Sequence, residues 1–173
     1  MAVTYSPIAT TTLTSNSTSI DFSSISGSYT DLLLVASFGM SRSDAAFLMR
    51  VGNGSLSTSS IYSQTALYGT GSAAGSDRIT NGDAINVFNN LGFTSTVGAN
   101  NLFFHFMNYS NTTTYKSILA RGNNPAGTAY PGTLASVSLW RSTSAINIIS
   151  LYRQSTDTFL SGSTFTLYGI KAA

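Results

Sequence analysis

Apolar and polar side chains alternate one by one along this chain, and no stretch repeats its apolar residues at helical spacing. Over 31–40, Leu32, Leu34, Ala36 and Phe38 fall on one side of an extended chain, with Leu33 and Val35 on the other. Over 101–109, Leu102, Phe104 and Phe106 oppose Phe103, His105 and Met107. Near the end, Phe165 and Leu167 alternate with Thr164, Thr166 and Tyr168. A period of two is the spacing of a strand. β-branched and aromatic residues bounded by Ser, Asn, Asp and Gly supply the matching composition. Further strand patterns cover 61–68, 115–121, 133–141 and 146–152, and 84–88 reads as a strand or a single helical turn. The sequence predicts an all-β chain: one antiparallel β-sandwich domain over 1–173, jelly-roll-like, of nine or ten short strands and no long helix. Its organising stretch is 139–170, whose last strand is expected to be locked into a sheet. Apolar residues on both faces of 31–40 predict a central strand, covered on both sides or wedged against a neighbouring subunit.

The spaces between strands are punctuated by turn chemistry. Asn53-Gly54 and Asn81-Gly82 supply the positive φ of tight turns. The small residues of 69–76 read as an exposed, mobile loop, and 122–132, which holds Pro125 and Pro131, as a long excursion. Residues 115–121 are the expected hairpin partner of 101–109.

Charge is scarce. Only 8% of the 173 residues are charged, there is no Glu, and Ser with Thr fill roughly three positions in ten. The net charge of +2 comes from six Arg and two Lys spread along the chain without a basic run, which argues against nucleic acid as a partner. No cysteine is present, so disulfides and thiolate metal sites are excluded. Residues 1–5 lack a basic segment followed by an apolar run, and the longest apolar run, 32–36, is far shorter than a membrane span. A surface so poor in charge favours association.

Reactive constellations are also missing from the sequence. Glycoside hydrolysis needs paired carboxylates, and six scattered Asp offer no local pair. A Ser-His-Asp site would have to use His105, the only histidine, which sits in Phe103-Phe104-His105-Phe106 and reads as a packed or hydrogen-bonded core residue. Gly69, Gly71 and Ala74 match a dinucleotide fingerprint without the helix that motif requires. Asp77, Asn81, Gly82 and Asp83 resemble the start of a calcium loop, but Ile79 and Phe88 occupy ligand positions. No catalytic, cofactor-binding or metal-ligating residue is assigned, and the chain is not expected to be an enzyme. Three tyrosines beside turns, Tyr109, Tyr115 and Tyr130, are the candidates for stacking on glycan or filling a subunit interface.

Several segments together resemble a known family. Ser19-Ile20-Asp21-Phe22-Ser23-Ser24-Ile25 and Tyr29-Thr30-Asp31-Leu32-Leu33-Leu34 are similar to the opening of small virion proteins of tailed bacteriophages. The likeness continues through Leu48-Met49-Arg50-Val51-Gly52-Asn53-Gly54 and Leu67-Tyr68-Gly69. It is strongest at Leu139-Trp140-Arg141-Ser142-Thr143-Ser144-Ala145-Ile146 and Phe165-Thr166-Leu167-Tyr168-Gly169-Ile170-Lys171. It spans nearly the whole chain in order, but each piece is a strand or turn, so it brings no catalytic residues. Where the family has Asp-rich turns after Asn-Gly, this chain has Ser55-Leu56-Ser57, which weakens any ion proposed there. The resemblance implies a jelly-roll sandwich on the outside of a phage particle, made in the host cytoplasm. Such domains serve as capsid decoration (cement) proteins or as distal parts of tail fibres. The chain reaches strand pattern within about ten residues and carries no coiled-coil heptads, so decoration is the preferred expectation. The implied partners are copies of itself, a homotrimer being favoured, and the major capsid protein or other virion proteins. The alternative is a tail-fibre or head-fibre module that recognises host surface glycan through Tyr130 and its loop.

Overall fold

The computed structural model describes residues 4–42, 47–87, 93–124, 132–153 and 156–171. Within them thirteen strands follow one another without a helix: β1 (Tyr5–Thr12), β2 (Ser19–Phe22), β3 (Asp31–Phe38), β4 (Phe47–Asn53), β5 (Ser55–Leu56), β6 (Tyr62–Gly69), β7 (Ala74–Gly82), β8 (Ile85–Val87), β9 (Asn100–Phe106), β10 (Lys116–Asn124), β11 (Gly132–Trp140), β12 (Ile148–Tyr152) and β13 (Thr164–Ile170). Eight form one antiparallel sheet in the order β1-β13-β3-β9-β10-β11-β6-β7. The second sheet runs β2-β12-β4, with β5 and β8 pairing successive parts of β4. The two sheets face each other as a sandwich, and the chain is all-β as its alternation requires.

Alternation decides which side chains enter the core. In β3, Leu32, Leu34, Ala36 and Phe38 are fully buried, and the register sets Leu34 between Leu167 of β13 and Phe104 of β9. The small sheet answers with Ile20, Phe22, Met49, Val51, Ile149 and Leu151. At one end the rings of Phe38, Phe47, Phe93, Phe159 and Phe165 form a cluster that draws on both sheets. Tyr62 ties the layers elsewhere. Its hydroxyl donates to Val51 O at 2.9 Å and accepts from Val51 N at 3.1 Å, and burial pushes its pKa up to about 12. The final strand β13 lies second from the edge of the large sheet, held between β1 and β3.

Two expectations about the connections are corrected, and one left open between strand and helical turn is resolved as strand. Residues 74–76 are not loop: β7 pairs with β6 from Gly69↔Ala74 onward, and Thr70 N–H closes the hairpin on Ala73 O at 2.8 Å. Small side chains suit this edge strand because backbone pairing holds it and little is buried there. The ring of Tyr68 lies across Gly75, filling the space a side chain would take. The long excursion also narrows to 125–131, outside the described residues, because Gly122, Asn123 and Asn124 continue β10 opposite β11. Gly122 looks like a breaker but fills a strand position where a Cβ would collide with Asn101 O and the Leu102 side chain of β9. Residues 85–87 are a strand, not a helical turn.

Candidate functional site

The side of the large sheet that faces away from the small one is the feature these residues build most deliberately. Cross-strand register places Tyr168, Leu33, His105, Leu119, Val137 and Thr65 in one row. The next row holds Thr166, Val35, Phe103, Arg121, Ala135 and Leu67. Between them the sheet curves into a hollow of about 470 Å³ whose apolar wall includes Tyr5, Leu33, Leu67, Phe103, Leu119 and Val137. Leu67 is 62% exposed and Val137 52%, and with Leu119 they share one contiguous apolar face rather than being scattered singly.

Of the charged and imidazole groups on this face, Asp31, His105 and Arg121 are already engaged. His105 Nε2 lies 2.9 Å from Asp31 Oδ2, and Asp31 Oδ1 accepts from Asn108 N–H at 2.7 Å. His105 is therefore hydrogen-bonded but stands on the open face, not in the core as the surrounding phenylalanines imply. The residues on either side of it in sequence are the ones turned inward. The guanidinium of Arg121 stacks over the Phe103 ring, 5.4 Å from its centroid. Both faces of β3 are apolar, as read from the sequence, and among the described residues only one of them is covered by a second layer.

The tyrosine candidates separate. Tyr109 is fully buried and its hydroxyl donates to Ser26 O, so its ring offers no face to a ligand; burial raises its pKa. The strand parity of β9 would have put it outside, but Asn108 takes a positive φ of 50° and turns the chain inward. Tyr115 is 55% exposed at the foot of β10. Beside it Asn111 Oδ1 accepts from the N–H groups of Thr113 (2.7 Å) and Thr114 (2.9 Å), which stiffens the turn. Tyr130 lies outside the described residues. Leu119 and Val137 were not singled out by sequence reasoning, their only signal being an apolar residue on the second face of a strand; Leu67 entered only through the family-like segment, and Tyr5 lay outside any strand read from the sequence.

Elsewhere, Arg50 pairs with Asp83 and stacks on Tyr152 on the outer side of the small sheet. Asp157 is held by Arg153 at 2.6 Å. Among the described residues no three His, Cys, Asp or Glu side chains gather as metal ligands would. No protein-family model matches this chain, and neither does any curated protein.

Proposed function

We propose that this chain is a structural protein of a bacteriophage particle, a decoration protein that binds the outer capsid surface, bridges neighbouring capsomers and so stabilises the head. The observation that carries the reading is the open apolar face. Side chains such as Leu67 and Val137 contribute little while they face water; each Å² covered contributes about 25 cal/mol, and only in the assembled state. A protein that binds the finished shell and not its parts stabilises the shell by mass action. The scarcity of charge adds support, since such a surface meets other proteins with little desolvation cost.

Strand order supports a jelly-roll reading. The large sheet holds the run β1-β13-β3-β9 and the small sheet the run β2-β12-β4-β8, so the first strand pairs with the last and the second with the last but one, as when a long hairpin is rolled up. Viral capsid and lectin domains share that architecture, a likeness of fold alone. The exposed ring of Tyr115 favours a second reading, a fibre tip that stacks on host glycan.

Counting this chain in purified infectious particles separates the two. Quantitative mass spectrometry against the major capsid protein should find hundreds of copies for decoration. A few tens or fewer would point to a fibre, and none would overturn both readings.

A further inference from the structure

We propose that the hollow on the outer face of the large sheet is a binding groove for a free single-chain amphiphile with an anionic head, a fatty acid in kind, whose carboxylate meets Arg121. The inference does not rest on the virion reading, and either can fail without the other.

Shape is the first argument. The lining of the hollow comes from seven neighbouring strands, from Tyr5 of β1 through Leu33, Phe103 and Leu119 to Val137 of β11 and Leu67 of β6. It is therefore a groove that runs across the strands, about 29 Å from first to last at a spacing of ~4.8 Å. Its volume of about 470 Å³ is that of a small-molecule site, and spread over such a length it is narrow. A polypeptide laid across the strands would reach no sheet edge, so its N–H and C=O groups would be buried without partners. A sugar would set its hydroxyls against aliphatic walls at a similar penalty. A hydrocarbon chain carries no such groups and gains from every part of the wall it covers.

Charge is the second argument. The chain has six Asp and no Glu, and among the described residues register places only Asp31 on this face. Its carboxylate is already taken, by His105 and by Asn108 N–H. Two cations share the face: Arg121, between Phe103 and Ala135 in its row, and Arg78, opposite Thr65 on the edge strand. Among the described residues neither guanidinium meets a carboxylate. Stacking on Phe103 steadies Arg121 and uses none of its N–H donors. A guanidinium set in an apolar wall with its donors open matches a carboxylate head. From β10 the groove continues over β9, β3 and β13 to β1, roughly 19 Å past Phe103, Leu33 and Tyr5, and this is the arm for the tail.

The probe is monomeric sodium dodecanoate, below its micelle concentration, titrated into the full chain by calorimetry. Saturable binding of one molecule per chain is expected, with NMR amide shifts confined to the strands that line the groove. Dodecyltrimethylammonium, the same tail with a cationic head, should bind at least about tenfold more weakly. Octanoate, the same head on a shorter tail, should lose more than about tenfold. Arg121→Gln should weaken dodecanoate about tenfold, and Arg121→Lys should recover part of the loss. Ala135→Asp sets a carboxylate directly opposite Arg121 and should abolish binding, whereas Ala135→Asn should keep it. Both positions are exposed, so far-UV circular dichroism should be unchanged; if Ala135→Asp fails to fold, Arg121→Gln carries the same test. Absent saturable binding, equal affinity for the two head groups, an Arg121→Gln titration that matches the wild type, or shifts away from the groove would overturn the proposal. So would binding confined to vesicles of anionic phospholipid, which would make the face a membrane-contact surface.

Discussion

Phe38→Ala should lower stability by about 4 kcal/mol, the cost of emptying a large site in a packed core. Phe38 is fully buried, and its ring lies 4.9 to 6.0 Å from the rings of Phe47, Phe93, Phe159 and Phe165. Phe38 and Phe165 come from the large sheet and Phe47 from the small one, so the cluster is a joint between layers. Its rings meet mostly edge to face, which adds a contribution beyond area. For a chain of this length about 4 kcal/mol corresponds to a fall in Tm of about 8–16 °C. Phe38→Leu keeps most of the volume and should cost much less. Thermal melts of both variants check this, and a loss below about 1 kcal/mol for the alanine would mean the sheets are joined elsewhere.

The second large effect is alkaline. The folded chain holds the Tyr62 proton up to a pKa of about 12, against 10.0 for the free side chain, chiefly because burial disfavours the phenolate. Between pH 10 and 12 the folded state therefore binds a proton that the unfolded chain releases. Stability from this source is complete below pH 10 and is lost as pH rises through 12, by about 3 kcal/mol. Tyr109 and Tyr152 are also raised by burial and act in the same direction. Urea midpoints at pH 9 and pH 12 should fall further for the wild type than for Tyr62→Phe. That variant is less stable at neutral pH, because Val51 N–H loses its hydroxyl partner while Val51 O keeps only the bond from Ser57 N–H. Equal slopes in the two proteins would show that Tyr62 is not the group responsible.

Strand positions were legible wherever one face is buried, because burial enforces alternation: β3, β9 and β13 all read correctly from Leu, Phe and Thr at period two. β7 was not, since an edge strand held by its backbone places no demand on its side chains. Gly122 misled for the opposite reason, being a glycine required by close packing and not by a turn. The candidate site was half legible. Leu33, Val35 and Phe103 announced that the second face of the central strands is apolar, but a sequence cannot say whether the chain itself supplies the cover. Tyr109 and Tyr115 look alike beside one polar turn; the left-handed φ of Asn108 sends one inward, and no alternation rule reports it.

If, as proposed, this protein acts by covering surface on an assembled particle, its removal must weaken that particle. Purified particles stripped of it and then reloaded test this, with genome release followed against temperature. Stripping should lower the release temperature, and adding back the wild-type chain should restore it. Release temperatures unchanged by removal and return would contradict the account.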